Sequence, residues 1–335
     1  TCNMSIFRTF LIVFSCFLAI ACTDKKQHAV ASYEHAAQGA FSSTVSNDGK
    51  YSLISSINHG VALWDNQQQV LKYQWFQQQS QDSLVYAVAI AFDNSVAVTA
   101  EKTTFAVWDI ATGKNKGYYK IQKASIRDIA ISNQGRSVLY GRSDGVVVFV
   151  NLETGRRIEF LGHQDKVNTV DLSPNGRFAL SGSNDYVAYF WDTRTGQVIH
   201  RFNHPTRVTQ VTLDPQGRYA FTADSMAQAN VWKLTTGDLV SKLKYIARQK
   251  IFTAVRFNEQ GTLLATGSPN KRVDLWQIPS GEKIQTWQVT PREGSKPKSA
   301  VVLDVTFTDN GKSLLTESSS GIAERFIIRE NNEHN

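Results

Sequence analysis

The sequence predicts an all-β fold, in which seven four-stranded antiparallel sheets are arranged as the blades of a β-propeller. Three observations support this: a large apolar residue recurs seven times, glycine-containing turns recur between these positions, and short apolar runs separate the turns. The intervals between the recurring residues are 44, 42, 41, 41, 44 and 50 residues. One four-stranded blade requires ~40–45 residues. The recurring positions are Trp64, Trp108, Val150, Trp191, Trp232, Trp276 and Phe326.

Two kinds of turn divide each repeat. The first has glycine after two residues that are polar or proline, as in 174–176, and the second has glycine after threonine or serine, as in 195–196. Glycine accepts the positive φ that tight hairpin turns need. Runs between the turns, such as 146–150, are continuously apolar, which is typical of strands buried on both faces. The glycines of the two kinds are Gly49, Gly135, Gly176, Gly217, Gly261 and Gly311, then Gly113, Gly155, Gly196, Gly237 and Gly281.

One repeat, residues 161–192, shows the pattern most completely. It contains Leu161-Gly162-His163, Leu172-Ser173-Pro174-Asn175-Gly176, Ser181-Gly182-Ser183, Asp185 and Trp191-Asp192. This repeat resembles the WD repeat, and seven such units would fill nearly the whole chain after residue 26. The resemblance implies a seven-bladed WD-repeat propeller.

The same resemblance implies a hydrogen-bonded group of four residues inside the blade. These are His163 before the first strand, Ser181 in the second strand, Asp185 in the next turn, and Trp191. A buried carboxylate needs partners, which an imidazole and a hydroxyl group supply. We therefore expect the Ser, His and Asp of this repeat to be structural rather than catalytic. Only this repeat shows all four residue types at the family positions.

The end of the last repeat indicates how the ring closes. After Phe326 only Ile327 and Ile328 are apolar, so the seventh repeat lacks an outer strand of its own. The segment 27–33 lies one strand ahead of the first full repeat, and we expect it to pair with the last blade, leaving no open edge. The propeller would then span residues 27–328, followed by a polar tail at 329–335.

The first residues carry a targeting pattern. An apolar run from Phe7 to Ala21 is short for a transmembrane helix and is followed at once by polar residues. Its end, Leu18-Ala19-Ile20-Ala21-Cys22, resembles the lipobox of bacterial lipoproteins. That resemblance implies a cleaved signal peptide at 1–21, a lipid on Cys22, and a tether at 22–26. An uncleaved membrane anchor is the alternative.

Cysteine content agrees with the lipoprotein interpretation. The chain has Cys2, Cys16 and Cys22, so cleavage after residue 21 leaves one cysteine and no internal disulfide. By the sorting rule that the lipoprotein resemblance brings with it, Thr23 after the cysteine favours the periplasmic face of the outer membrane. We expect a lipid-anchored protein of the cell envelope.

No motif for catalysis, phosphate binding or metal binding stands out. The sequence has one Gly-x-Ser-x-Gly, at 141–145, but this segment aligns with the blade turn that contains Asp185 and we interpret it as a turn. There is no phosphate-binding loop and no cysteine pair for zinc. His200 and His204 are four residues apart but flank a strand end, with Pro205 just beyond. We interpret them as solvated loop residues rather than metal ligands. We therefore expect no enzyme activity, no catalytic residue, no metal and no cofactor.

Charge provides a better indication of a partner. The chain has a formal net charge of +7, and many cations fall in the loops that enter a blade or join its second and third strands. In a propeller these loops share one face, which would attract an acidic partner. Ordinary solvated turn charges are the alternative. The candidate partner-facing residues are Lys102, Lys123, Arg142, Lys166, Arg207, Arg248, Lys271, Arg272, Arg292, Lys296 and Lys298.

Two insertions on this face are candidate contact segments. The longer is Thr290–Ser299, which holds Arg292, Lys296 and Lys298, and the second is the glutamine-rich stretch Gln74–Gln81. For the second, a tolerated insertion without a partner is the alternative. Secretion argues against a nucleic-acid partner despite the positive charge.

WD-repeat propellers act as rigid platforms for partners, so the resemblance implies a monomeric, membrane-anchored, non-enzymatic scaffold for protein–protein interactions in the bacterial envelope. Its partners would be envelope proteins, and the basic face favours acidic ones. Two alternatives stay open: a ligand-binding or hydrolytic propeller that uses the central channel, and an accessory factor in outer-membrane protein assembly. Arg127, Asp128 and Asn168 are the only hints of polar groups near the channel. A deep pocket lined by them would favour ligand binding, and a basic face with exposed aromatic residues would favour docking.

Overall fold

The computed structural model describes residues 28–57, 59–77, 84–226, 228–245 and 251–329. Within these ranges the chain forms seven four-stranded antiparallel sheets, which confirms the predicted seven-bladed propeller. The predicted signal peptide at 1–21 and tether at 22–26 lie outside the described residues, as does the tail beyond Arg329. Among the described residues, no helix is long and apolar enough to cross a membrane.

The strands follow one another with short turns, and two short 3-10 turns occur at Asn133–Gly135 and Asp309–Gly311. In chain order the strands are β1 (Ala31–Glu34), β2 (Ser42–Val45), β3 (Tyr51–Ser56), β4 (Gly60–Asp65), β5 (Val70–Trp75), β6 (Ala87–Ile90), β7 (Val96–Ala100), β8 (Thr104–Asp109), β9 (Asn115–Lys120), β10 (Ile126–Ile131), β11 (Ser137–Arg142), β12 (Val147–Asn151), β13 (Arg157–Phe160), β14 (Val167–Leu172), β15 (Phe178–Ser183), β16 (Val187–Asp192), β17 (Val198–Asn203), β18 (Val208–Leu213), β19 (Tyr219–Asp224), β20 (Ala229–Lys233), β21 (Leu239–Lys242), β22 (Ala254–Phe257), β23 (Leu263–Gly267), β24 (Arg272–Gln277), β25 (Lys283–Gln288), β26 (Val302–Thr308), β27 (Ser313–Ser318) and β28 (Ile322–Ile327).

Blades one to six are formed by four consecutive strands each, from β2–β5 to β22–β25, and blade seven combines β26–β28 with β1. The innermost strand of each blade contacts the innermost strands of both neighbours, including β26 with β2, so the ring is closed. We call the face with the loops entering each innermost strand, and with the turns between second and third strands, the top. The other face is the bottom.

An N-terminal strand completes the last blade, as the sequence predicts. β1 pairs with β28 antiparallel, with Ala31 opposite Arg325 and Glu34 opposite Ile322. The backbone N–H of Val30 adds a hydrogen bond to the Arg325 carbonyl oxygen at 2.8 Å. The regular strand starts four residues later than residue 27, which itself lies outside the described ranges.

Aromatic stacking between neighbouring blades holds the ring together. Trp75 at the end of β5 stacks on Trp108 of blade two with ring centroids 5.0 Å apart. Phe160 stacks in the same way on Trp191 at 4.7 Å, and Phe202 on Trp232 at 4.5 Å. The recurring tryptophan of a blade therefore packs against the outer strand of the preceding blade, and burial of such large rings is a main source of stability.

Candidate functional site

Three of the four residues predicted to form a hydrogen-bonded group in blade four are joined by hydrogen bonds. His163 lies 3.0 Å through Nδ1 from the Asp185 carboxylate, and 2.9 Å through Nε2 from the Ser181 hydroxyl oxygen. The indole N–H of Trp191 has no hydrogen-bond partner among the described residues, so this ring contributes packing alone. Burial acts to raise the pKa of Asp185, but the hydrogen bond and charge of His163, together with the backbone N–H groups of Gln164 and Val187, outweigh it and hold that pKa below its usual value. Ser181 is fully buried, which keeps its hydroxyl away from any substrate.

Blade five contains a second and more complete group, which the sequence reading missed. His204 lies 3.2 Å through Nδ1 from Asp224 and 2.8 Å through Nε2 from Thr222, and the Trp232 indole N–H donates to the Thr222 hydroxyl oxygen at 2.8 Å. The expectation that His204 is solvated is wrong, because its ring is buried. Burial lowers the pKa of His204, although Asp224 opposes that shift.

A sequence signal for this second group exists. The histidine precedes the strand-two hydroxyl residue by 18 positions in both blades, 163 to 181 and 204 to 222, and precedes the tryptophan by 28. Only the aspartate differs, since it ends the second strand in blade five instead of lying in the turn. His200 does not join the group: its Nε2 bonds to the Leu234 carbonyl oxygen at 2.7 Å. In the described ranges no three His, Cys, Asp or Glu side chains are placed to hold a metal ion.

Blade two uses a glutamine at the position of the histidine. The Thr99 hydroxyl group donates to Gln77 Oε1 at 2.7 Å and accepts from the Trp108 indole N–H at 2.9 Å. Gln77 belongs to the glutamine-rich stretch that the sequence suggested as a contact segment. The structure turns this side chain into the blade, and 78–83 lie outside the described residues.

The central channel is polar but narrow, with a cavity of about 290 Å³. Asp128 accepts the Val170 backbone N–H at 2.8 Å, and Asp171 accepts that of Leu213 at 2.7 Å, so each carboxylate ties its blade to the next. Burial raises the pKa of Asp128 to about 7 and that of Asp171 to about 6.

The other charged residues near the channel are engaged with the protein itself or point elsewhere. Arg256 pairs with Asp304 at 3.1 Å and also donates to the carbonyl oxygens of Val45 and Val305. Of the three residues suggested from the sequence, only Asp128 lines the channel. Asn168 donates to Asn184 and Val208, and Arg127 is exposed to solvent. The three residues therefore do not converge on one pocket.

A wider cleft of about 890 Å³ opens on the bottom face beside the first turns of blades four and five. Its apolar wall includes Phe178, Phe190, Leu213 and Leu234. This cleft lies on the face opposite to the predicted basic loops, so the cleft and the basic face are separate features.

The top face carries an exposed aromatic pair at the junction of blades one and two. Phe41 and Tyr86 each precede an innermost strand, and their rings meet edge to face at 5.5 Å while remaining 43% and 39% exposed. The Lys102 ammonium group lies 5.9 Å from the centre of the Tyr86 ring. Ile57, in the adjoining turn of blade one, is 58% exposed. We call these four residues, Phe41, Ile57, Tyr86 and Lys102, the aromatic corner.

The insertion Thr290–Ser299 borders the aromatic corner. The Thr290 backbone N–H and hydroxyl group bond to Glu324 at 2.8 and 2.7 Å, and the Arg292 guanidinium group donates to the Gln38 carbonyl oxygen. The insertion is thus anchored at its first turn. Together with residues 38–41 it forms a groove of about 370 Å³ that Phe41 and Ile57 also line.

Comparison with known protein families identifies a match. The family model described as "WD domain, G-beta repeat" matches residues 155–192, the segment that holds all of His163, Ser181, Asp185 and Trp191. That segment is part of a closed ring of seven four-stranded blades. The chain is a WD-repeat β-propeller. A search of curated proteins found no match to it.

Apart from Arg142, the predicted cations of this WD-repeat propeller divide into three groups. Lys271 and Arg272 are half-buried, and Arg272 pairs with Asp274 at 3.3 Å. Arg248 lies outside the described residues. The cations that are exposed are Lys102, Lys123, Lys166, Arg207, Arg292, Lys296 and Lys298.

Arg142 is a correction to the sequence interpretation. It ends β11 and is buried, with its guanidinium group paired to Asp144 and 3.8 Å from Glu159 on β13. A buried cation has to be paired, and these two carboxylates satisfy that need within blade three. Arg142 therefore stabilises its own blade instead of facing a partner.

Proposed function

We propose that this WD-repeat propeller is a non-enzymatic protein-docking scaffold of the bacterial cell envelope, anchored to the membrane by a lipid on Cys22. The WD-repeat propeller fold supports a role as a protein-interaction scaffold in general. The anchoring rests on the lipobox-like sequence at 18–22, and we place the protein on the periplasmic face of the outer membrane because of Thr23.

The aromatic corner is the proposed docking site. Binding energy at protein interfaces is concentrated in a few aromatic and arginine residues that a partner desolvates. Phe41 and Tyr86 form such a pair before any partner is bound, because each ring already holds the other in place. This preformed, exposed pair is the observation that carries the proposal.

The chemistry around the corner favours an acidic partner segment with an apolar side chain. Lys102 lies beside Tyr86, and the exposed Lys296 and Lys298 lie on the insertion next to the groove. An apolar side chain would enter the groove between Phe41 and Ile57, while carboxylates of the partner would meet the lysines. Such charge complementarity raises the rate of association and selects among partners.

The channel supports a ligand-binding role less well. Its carboxylates Asp128 and Asp171 accept backbone N–H groups of the neighbouring blades, and Asp304 is paired with Arg256. A ligand would have to displace contacts that join the blades.

Crosslinking in intact envelopes tests the docking proposal. The wild type and the variants Phe41→Ser and Tyr86→Ser would be captured and compared for the proteins crosslinked to them. A matched control is Tyr118→Ser, because Tyr118 is also exposed but lies on the outer strand β9. We expect one or more envelope proteins to be lost from both corner variants and retained by the control. Equal recovery from all four proteins would contradict docking at this corner.

A further inference from the structure

The described chain begins at the bottom outer corner of blade seven. β1 runs from Ala31, opposite Arg325, to Glu34, opposite Ile322, and Ile322 follows the top-face turn at 319–321. Residues before β1 therefore lie toward the opposite face. The Arg325 side chain reaches Asp309 in the bottom turn at 3.3 Å, which confirms this direction. The closure of the ring by β1 thus brings the N-terminal segment out at the bottom of the propeller.

The connection from this corner to the proposed membrane anchor is short. His28 lies six positions after Cys22, and a fully extended chain spans at most about 3.5 Å per residue, or about 21 Å in total. A lipid on Cys22 and an uncleaved apolar anchor ending at Ala21 would both hold the same corner at this distance. The bilayer surface is therefore within reach of blade seven under either interpretation of the N-terminal segment.

The surface at this corner combines exposed apolar and basic side chains. Val30 is 54% exposed and Ile327 is 43% exposed, although both flank the pairing of β1 with β28. Lys312 and Arg329 are exposed beside them, and the Ile328 backbone N–H bonds to the Lys312 carbonyl oxygen at 2.9 Å. The nearby carboxylate of Asp309 is already paired with Arg325. We call Val30, Lys312, Ile327 and Arg329 the anchor corner.

We propose that the anchor corner rests on an anionic phospholipid surface, so that the bottom of blade seven faces the bilayer and the aromatic corner points away from it. Apolar side chains next to lysine and arginine fit the boundary between acyl chains and anionic headgroups. Basic residues near such a surface are attracted to its negative charge. The proposal rests on the membrane anchoring given under Proposed function, and it adds an orientation that presents the docking site to soluble or membrane-bound partners.

Quenching by lipids measures this orientation. The mature lipidated protein, in which Cys22 is the one native cysteine, would be reconstituted in vesicles of phosphatidylglycerol and phosphatidylethanolamine that contain a nitroxide-labelled lipid. A fluorophore would be attached at Val30→Cys or Lys312→Cys in the anchor corner, or at Lys102→Cys or Lys166→Cys on the top face. We expect the anchor-corner labels to lose most of their fluorescence and the top-face labels to keep nearly all of it.

Each other outcome overturns a defined part of the account. Flotation of the protein with the vesicles but equal quenching at all four labels would overturn the orientation and leave the anchoring intact. Failure to float with the vesicles would overturn the anchoring and the orientation together.

A charge-reversed variant tests the chemistry of the surface. With the label at Val30→Cys, the pair Lys312→Glu and Arg329→Glu should reduce quenching in vesicles containing phosphatidylglycerol. The matched control is Lys123→Glu and Lys166→Glu on the top face, which should not change it. Equal quenching in the anchor-corner variant and the control would contradict an electrostatic contact with anionic lipid.

Discussion

The Nε2 atom of His204 lies 2.8 Å from the hydroxyl oxygen of Thr222, inside blade five. That hydroxyl group also accepts the indole N–H of Trp232, and the other ring nitrogen of His204 faces Asp224 at 3.2 Å. Four side chains from the entering loop, the second strand and the third strand are thus in direct contact. This series of hydrogen bonds links the top of the blade to its core.

Replacement of His204 by alanine should therefore destabilise the protein strongly. The substitution removes the ring that faces the fully buried Asp224 carboxylate, and loss of one partner of a buried pair costs about 3–5 kcal/mol. The measurement is the free energy of unfolding in urea. His200→Ala is the control, because His200 is only half-buried and bonds to the Leu234 carbonyl oxygen instead of a buried carboxylate. Equal losses for the two variants would count against the network.

Trp191 and Trp232 should respond differently to replacement by phenylalanine. Trp232 donates a hydrogen bond to Thr222, whereas the Trp191 N–H has no partner among the described residues. A hydrogen bond contributes about 1 kcal/mol net, so Trp232→Phe should cost about 1 kcal/mol more than Trp191→Phe. Thermal or urea unfolding of both variants gives the comparison, and a larger cost for Trp191→Phe would refute the assignment. Trp191→Ala removes the whole ring and should cost about 3–5 kcal/mol.

The stability of the propeller should fall as the pH rises, because of Asp128. Burial raises the pKa of this carboxyl group in the folded protein to about 7, well above its value in an unfolded chain. The folded state therefore holds the proton more tightly, and ionisation between about pH 4 and about pH 7 favours unfolding. Melting temperatures at about pH 5 and about pH 8 should differ more for the wild type than for Asp128→Asn.

Asp109 provides the control for this pH dependence. Hydrogen bonds from Thr112 hold its pKa below the usual value, so its contribution to stability is lost only at lower pH. Asp109→Asn should leave the change in melting temperature between about pH 5 and about pH 8 as it is in the wild type. If Asp128→Asn shows the same change in melting temperature between about pH 5 and about pH 8 as the wild type, another group controls this pH dependence.

Removal of the thiol at Cys22 should release the protein from membranes. A single acylated cysteine is the proposed attachment, and serine cannot carry the thioether-linked lipid. Fractionation of cells that produce Cys22→Ser should recover the protein in the soluble envelope fraction, with Thr23→Ser remaining membrane-bound as the wild type does. Membrane retention of Cys22→Ser would favour the uncleaved apolar anchor.

The blade architecture could be predicted because its determinants are local. The recurring tryptophan and the turn glycines are short-range signals, and Phe326 followed by only two apolar residues showed that a strand was missing from the last blade. The aromatic corner could not be predicted in the same way. Phe41 and Tyr86 belong to different blades. Only the arrangement of the blades in the propeller brings the centroids of their aromatic rings to 5.5 Å.

The errors have the same physical origin. Arg142 stands next to a turn in the sequence, but Glu159 from the outer strand lies beside it only after the blade has folded. His204 was missed because its aspartate, Asp224, occupies the end of a strand rather than the turn position used in blade four. Pairings across strands decide whether a charged side chain is buried, and one sequence does not display them.

The affinity of purified propeller variants for the crosslinked envelope partner tests the docking claim most directly. Desolvated aromatic anchors contribute at least about 2 kcal/mol each, or roughly a 30-fold change in affinity. The account predicts a weakening of about this size for Phe41→Ser and for Tyr86→Ser, and no change for Tyr118→Ser. Unchanged affinity in both corner variants, with their folds intact, would contradict the claim that this WD-repeat propeller docks partners at its aromatic corner.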